Sequence, residues 1–344
     1  MFKPTYTITD TLLAHITRIN SLVHELNSNN RFPKVILLEL ERTARAVSSF
    51  ASTSIEGNPL PLTEVKKILK SAPINLRDSE REVINYNQAL QDLNTQLKAG
   101  EIVLTLEFIL KIQKHVTAGM LPKFESGHLR TKPVVVNDPR TGNTVYLPPD
   151  ISDVKMLMKD LVEFADISKG IVDPLILAGI FHKQMVLIHP FIDGNGRTTR
   201  LVTKALLAAL GLNTFNLFSF ENYYNKNITK YFQTVGEFGN YYELVSAIDF
   251  THWLEYFTAG IIDELLRVQK LLPETIGNPE NELQPHHLKI LEFIQVHGFI
   301  SDRHYVRLTG RAKATRALDF QKLIELGLIE RHAKARATYY VLKR

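Results

Sequence analysis

The stretch IVDPLILAGIFHKQMVLIHPF, from Ile171 to Phe191, is the most apolar in the chain and limits the fold more than any other feature. A segment this apolar belongs either in a bilayer or at the centre of a packed protein. Asp173, His182, Lys183 and two prolines within it argue for a buried helix. Asp173 is suited to cap that helix and Pro174 to occupy its first position, which predicts a helix ending just before His189. A second helix is expected to start inside GNGRTTRLVTKALLAALG and to close at Gly211. The fold is therefore built around two helices joined by a loop, and the glycines of that loop sit at the N-terminus of the second helix.

The loop and first helical turn read HPFIDGNGRTTR, His189 to Arg200. Gly194 and Gly196 let the backbone turn with positive φ and leave N–H groups uncovered. Where a helix begins, those N–H groups and the helix dipole favour an anion. Arg197 and Arg200 are three positions apart, so they leave one face of the helix and can reach one phosphate chain. Asp193 is placed to hold a hard cation such as Mg²⁺ bridging phosphate oxygens. His189 is the only group here that ordinarily titrates near neutrality, so it can accept a proton from an incoming hydroxyl. Singly, each residue has a bland explanation: a structural histidine, a turn, two solvated arginines. Their combination at fixed spacing points to a site that holds polyphosphate and moves a proton.

Most of the remaining chain reads as helix, which makes the fold class mainly α. Ile36, Leu40, Ala44, Val47 and Ala51 form an apolar stripe from about Lys34 onward; Pro33 suits its first turn, and Gly57, Asn58 and Pro59 supply its stop. One segment, KPVVVNDPRTGNTVYLPPD, has two short β-prone runs around a turn and predicts a hairpin. Residues 272–285, rich in Pro, Gly, Asn and Glu, read as a linker. Beyond it, three helical segments and two alternating strands give the outline of a winged helix-turn-helix. Residues 301–344 hold 11 Lys and Arg against 4 Asp and Glu, while the whole chain is only +5. That basicity suggests an anionic partner, with Arg311, Lys313 and Arg316 entering a DNA groove and the turn at Ala333–Arg336 touching phosphate. A protein-binding or dimerisation module, with Tyr339 and Tyr340 in its core, is the alternative reading. The absence of cysteine excludes disulfides, thiolate metal sites and a cysteine nucleophile, and is compatible with a reducing compartment. The start MFKPTYTITD lacks the apolar run of a signal peptide, so the expectation is a cytoplasmic protein with no membrane partner.

At every fixed position HPFIDGNGRTTR is similar to the motif HPFx[DE]GNGRxxR of Fic-domain (Fic/DOC family) proteins. GHLR at Gly127–Arg130, ahead of the hairpin, resembles the family's Gly-x-x-Arg and target-binding flap, and DFTHWLEYF resembles the end of its core. Ser52-x-x-x-Glu56-Gly57 resembles the inhibitory helix motif [ST]xxxE[GN]. The resemblance implies an N-terminal helical region over 1–100 with its inhibitory helix at about 34–57, a Fic core over 101–271, the 272–285 linker, and a winged helix-turn-helix over 286–344. It also implies a protein adenylyltransferase, which joins AMP from ATP to a protein hydroxyl and releases pyrophosphate. His189 is then the general base and Asp193 the Mg²⁺ ligand. Gly194, Asn195 and Gly196 line the anion hole, with Arg197 and Arg200 on the phosphates and Phe191 as a core anchor. The 132–148 hairpin would hold the target by strand addition. Tyr231 resembles a tyrosine near the nucleotide in relatives, but a core tyrosine reads as well. Glu56 would pair with Arg200 as a brake. Still open are removal of AMP from proteins with Glu56 activating water, another transferred group, and a DNA-binding regulator that senses nucleotide. Self-modification, a homodimer and the target's identity also stay open.

Overall fold

The computed structural model describes residues 2–28, 34–71, 73, 75–100, 102–137, 142–212, 216–271, 283–332 and 338–343. Its elements, in chain order, are α1 (Asp10–Ser28), α2 (Lys34–Ile55), α3 (Leu62–Ser71), α4 (Asp78–Ala99), α5 (Leu106–Val116), β1 (Val136–Asn137), β2 (Thr144–Leu147), α6 (Ile151–Ile167), α7 (Pro174–Ile188), α8 (Asn195–Ala209), α9 (Glu221–Lys226), α10 (Ile228–Val235), β3 (Gly239–Asn240), α11 (Tyr241–Leu244), α12 (Thr251–Leu271), α13 (Pro285–His297), α14 (Asp302–Thr309), α15 (Lys313–Glu325), β4 (Ile329–His332) and β5 (Tyr339–Leu342). They form two compact units: residues 1–23 with 44–266, and residues 24–43 with 267–344. The expected linker at 272–285 lies mostly outside the described residues, and α13 begins at Pro285. No helix among the described residues is long and apolar enough to cross a membrane.

The first unit is assembled around α7. The Asp173 carboxylate accepts from the Leu175 N–H at 2.9 Å and Pro174 opens the helix, as the sequence predicts. Thirteen of its fifteen residues are buried, so it has no solvent face at all. α8 packs along it, and α4 and α5 lie against α8, so residues before position 101 share a core with those after it. The polar groups inside this core are matched. His182, fully buried, pairs Nδ1 with Thr203 Oγ1 at 3.0 Å and Nε2 with the Tyr231 hydroxyl at 3.2 Å. Lys183 donates to the Thr234 carbonyl at 3.0 Å and pairs with Glu237 at 2.7 Å. The Trp253 indole donates to the Gly179 carbonyl at 2.7 Å, which draws α12 onto α7. Gly179 allows that approach, because a Cβ there would meet the Leu254 side chain at 2.6 Å.

The predicted hairpin forms, but it is shorter than the sequence suggests and has an extra neighbour. β1 pairs antiparallel with β2, Val136 opposite Tyr146 and Asn137 opposite Thr144. β2 then pairs parallel with β3, giving the order β1-β2-β3 with β1 at the edge. Of the run VVV only Val136 is in a strand, and part of the turn, residues 138–141, lies outside the described residues. Tyr146 anchors the sheet: its ring is buried and its hydroxyl donates to the Leu187 carbonyl at 2.9 Å. β3 carries no sequence signal, since Gly239–Asn240 is too short to show alternation.

The second unit contains α13, α14, α15 and the antiparallel pair β4–β5, the three helices and two strands that the sequence predicts. Its core holds Ile290, Ile294, Tyr305, Phe320, Leu323 and Leu342. Tyr340 stacks on Phe320 at 4.0 Å, in line with a core reading. Two of the three basic residues at the start of α15 are paired within the unit. Arg316 is buried and forms two bonds to Asp302, at 2.7 and 2.8 Å. Arg311 lies 2.9 Å from Asp319, a buried carboxylate that also accepts from the Tyr305 hydroxyl at 2.6 Å. Arg311 pairs with a buried acid and Arg316 with the exposed Asp302, and of the three only Lys313 is exposed. The outward residues of α15 are mixed: Ala314, Ala317, Leu318 and Ile324 stand beside Lys313, Gln321 and Glu325. The Ala333–Arg336 turn lies outside the described residues.

The close approach of α7 and α12 can be tested directly. Gly179→Ala overpacks the contact and should lower the stability of the folded chain by about 1–3 kcal/mol, read as a lower denaturant midpoint.

Candidate active site

The loop between α7 and α8 is held in a conformation that an L-residue rarely adopts. His189 ends α7 in the left-handed region, with φ 49° and ψ 59°. Such backbone persists only where its surroundings enforce it. Here its N–H donates to the Met185 carbonyl at 3.2 Å, and its carbonyl accepts from Arg130 Nε at 2.9 Å. Arg130 is buried and also donates to the Pro149 carbonyl, and its own N–H donates to the Pro190 carbonyl at 2.9 Å. One guanidinium therefore joins the loop to the far end of the hairpin. The GHLR segment is held in turn by Gln113: Gly127 N–H donates to its Oε1, and its Nε2 donates to the Asp193 carbonyl at 3.1 Å. Gln113 was not anticipated from sequence. Its only signal was a glutamine on the same buried stripe as Ile109, Ile112 and Val116.

Inside the loop, Phe191 is fully buried and fixes the turn, as expected. Asn195 clasps it: Phe191 N–H donates to Asn195 Oδ1, and Asn195 Nδ2 donates to the Phe191 carbonyl, both at 2.9 Å. Asn195 thus spends its side chain on the loop and has only its backbone N–H to offer an anion. Gly194 caps α8 in the left-handed region at φ 78°, and a Cβ there would press on Thr117 at 2.9 Å. The two glycines leave the first turn of α8 bare.

His189 is partly buried and well prepared to take a proton. Its Nδ1 lies 3.3 Å from the Val186 carbonyl. A carbonyl only accepts, so Nδ1 carries the hydrogen and Nε2 is the basic nitrogen. Burial lowers the pKa of the ring; the Val186 bond and the charges of Glu56 and Asp193 oppose that shift without reversing it. The ring therefore stays neutral around pH 7.

The two arginines have partners from opposite directions. Arg197 is buried and donates from Nη2 to both Asp193 oxygens, at 2.9 and 2.8 Å. Its Nη1 lies 2.9 Å from Glu82 on α4, a residue that no sequence signal had marked. Asp193 keeps 44% of its side chain exposed, so its outer side is open to a cation. One exposed carboxylate completed by phosphate oxygens and water suits Mg²⁺, which rarely has an all-protein cage.

Arg200 is completely buried. Nε donates to Ser52 Oγ at 2.8 Å, Nη2 donates to the Ser52 carbonyl at 2.8 Å, and Nη2 reaches Glu56 Oε1 at 2.7 Å. The Ser52 carbonyl is free because the Glu56 N–H turns to Thr53 instead, at 3.0 Å. Arg200 therefore caps the C-terminus of α2, and the cation offsets the unfavourable placement of Glu56 at the negative end of that helix. Burial alone would lower the Arg200 pKa, but Glu56 and the neighbouring acceptors keep it above the ordinary value. The Glu56 carboxylate lies over the first turn of α8: a Cβ built on Gly196 would be 2.1 Å from its Oε1 and 2.8 Å from Arg200 Nη1. Arg200 Nη1, Arg197 Nε and Arg197 Nη1 are buried without a hydrogen-bond partner, so donors remain around this spot and the Glu82 contact to Arg197 is an ion pair without a formed hydrogen bond.

Tyr231 is placed differently from a surface that greets a ligand. It is 2% exposed, stacks on Tyr224 at 4.5 Å and bonds to His182, so it belongs to the core beneath Arg200. The remaining site residues, His189, Asp193, Gly194, Gly196, Arg197 and Arg200, gather at the start of α8 with Ser52 and Glu56.

Residues 103–207 match the family model described as Fic/DOC family. The chain contains a Fic domain. Over 196 residues, 55% of the chain, it is 32% identical to protein adenylyltransferase fic-1 of Caenorhabditis elegans. It is 28% identical over 195 residues to protein adenylyltransferase Fic of Drosophila mojavensis. The chain spans a little over a third of these relatives' lengths, 37% and 36%. Among solved structures, a Fic family protein from Desulfovibrio desulfuricans G20 shares the fold over 99% of this chain and 98% of its own, with TM-score 0.68 at 20% identity. C. elegans Fic-1 shares it over 75% of this chain and 72% of its own, with TM-score 0.60 at 23% identity.

Two histidines of this Fic domain, His182 and the partly buried His189, make its stability pH-dependent. Burial lowers the pKa of both His182 and His189 below 6.5. Below about pH 6.5 the unfolded chain binds protons that the folded chain refuses, so stability is full above that value and falls as pH drops. The denaturant midpoint should be lower at about pH 5.5 than at about pH 7.5, and an NMR titration should place the His189 midpoint below the ordinary value.

Proposed function

We propose that the chain is a protein adenylyltransferase held at rest by its own α2. The observation that carries this reading is the Glu56 carboxylate over the bare first turn of α8, paired with the fully buried Arg200. An acid from elsewhere in the chain already uses the anion site that a nucleotide phosphate requires. The names of the adenylyltransferase relatives support the same reaction.

In the active state the phosphates of ATP take the place of Glu56. The N–H groups at Gly194, Asn195 and Gly196 and the guanidiniums of Arg197 and Arg200 neutralise them. Asp193 would hold Mg²⁺, which supplies further charge neutralisation across the phosphates. A target segment adds to the free edge of β1, and its register sets which hydroxyl faces His189. Nε2 of His189 takes that hydroxyl's proton as its oxygen attacks the α-phosphorus. The bond to the β-phosphate oxygen breaks, the AMP ester forms, and pyrophosphate leaves. Residues 101–271 form the catalytic core and residues 286–344 a winged helix-turn-helix. The engagement of Arg311 and Arg316 within the unit, with Leu318 and Ile324 exposed on α15, supports protein rather than duplex DNA as that module's partner. Self-modification and cytoplasmic residence are consistent with this activity.

The test is transfer of label from α-phosphate-labelled ATP to protein, with Mg²⁺. Glu56→Gly should raise labelling about 5- to 150-fold, a usual range for a coupling between sites. His189→Ala in that background should lower it about 10²- to 10⁴-fold. Equal labelling in wild type and Glu56→Gly would remove the brake from this account. Loss of AMP from a labelled protein would assign Glu56 to water activation instead.

A further inference from the structure

The second carboxylate on Arg197 is not explained by the chemistry above. Glu82 Oε1 lies 2.9 Å from Arg197 Nη1, and its side chain is only 12% exposed. Its other oxygen accepts from Asn58 Nδ2 at 2.6 Å. Asn58 is fixed in turn. The same Nδ2 donates to the Ser79 carbonyl at 2.9 Å, its Oδ1 accepts from the Leu60 N–H at 3.1 Å, and its own N–H donates to the Thr53 carbonyl at 3.1 Å. Glu82 therefore joins Arg197 to the turn that directly follows Glu56. Burying a carboxylate is unfavourable unless it is partnered, and here one oxygen accepts from Asn58 while the other lies in ion-pair range of Arg197.

Asp193 and Glu82 hold the same guanidinium but are not equivalent. Asp193 is open to solvent and is the group that would carry a metal; once it did, its hold on Arg197 would weaken. Glu82 is largely buried and pairs with Arg197 and Asn58, so its hold on the guanidinium does not pass through what Asp193 binds.

We infer that Glu82 is a positioning residue: with Asn58 it fixes the Arg197 guanidinium at the start of α8 for the nucleotide phosphates while Asp193 serves another ligand. This rests on the ATP-binding reading given above. In consequence, swinging Glu56 away frees Arg200 but leaves Arg197 in place, and the site needs to release only one of its two arginines.

The experiment is nucleotide binding by calorimetry, using the full chain with Glu56→Gly as background. Mg·ATP is compared with ATP in a chelator, and thermal unfolding is recorded for every variant. Glu82→Gln should weaken Mg·ATP binding about tenfold, the scale of losing one partly buried charge partner. The loss should be smaller without metal, when Asp193 still holds Arg197. Glu82→Asp should recover part of the affinity, and Asn58→Ala should show a weaker form of the same defect. A purely structural role would lower the unfolding temperature without this metal-dependent split, and overturns the inference. Unchanged binding in Glu82→Gln overturns it as well. Tighter binding would make Glu82 a second brake, again against it. If Mg·ATP does not bind the Glu56→Gly background at all, the ATP reading fails instead, and that outcome is distinct from all the others.

Discussion

A fully buried guanidinium, Arg200, sets the terms for the rest of this molecule. Leaving such a charge without a partner costs about 3–5 kcal/mol, which few domains can absorb. The partners come from the last turn of α2, through the Ser52 hydroxyl and carbonyl and the Glu56 carboxylate. That requirement explains why α2 ends where it does and why a serine lies four positions before the glutamate. It also explains the polar seam one turn earlier, where Lys204 donates to Ser48 at 2.6 Å and pairs with Glu221, which accepts from Tyr86 at 2.7 Å. Each buried charge in the seam has an opposite charge in reach. Arg200 can exchange one anion for another but cannot remain bare. On the proposed reading, a competing phosphate would shift the position of Glu56 only as far as its binding free energy allows.

Arg130 plays a comparable part for the loop. A histidine in left-handed backbone is strained, and its carbonyl is aimed where only a fixed donor can meet it. Because the same guanidinium reaches the Pro149 carbonyl, the end of the hairpin is set by the group that sets the loop. Tyr146 adds a second tie from β2 to the last turn of α7. Strand β1 is thereby registered against His189 through two short paths, which the proposed selection of a hydroxyl by strand register would require.

Much of this was legible in the sequence, and the reasons differ from residue to residue. The α7–α8 pair could be read because an all-apolar run with a capping Asp-Pro has one stable setting. The loop could be read because glycine, arginine and carboxylate at fixed spacing have few joint uses. Glu56 stood out because it violated the helix-dipole rule. By contrast, Glu82 and Gln113 act across distances in sequence that no local pattern encodes. The strand β3 is too short to alternate. Arg311 and Arg316 look like any basic surface until Asp302 and Asp319 are seen beside them, since charge counts cannot tell a solvated arginine from a paired one. Tyr231 resembled a ligand contact, and only its burial against His182 assigned it to the core.

The resting charge balance ties these threads together. Around the start of α8, two guanidiniums face three carboxylates, Glu56, Glu82 and Asp193. A polyphosphate approaching that cluster meets an excess of negative charge before any steric conflict arises. Withdrawing Glu56 removes the excess and exposes Arg200 together, because the same oxygen that occupies the space above Gly196 also neutralises the guanidinium. A neutral side chain of the same shape would block the space yet leave Arg200 uncompensated, which favours its replacement by the incoming anion. Under the proposed reading, restraint by a carboxylate is thus stronger than restraint by bulk, and the choice of glutamate follows from the burial of Arg200.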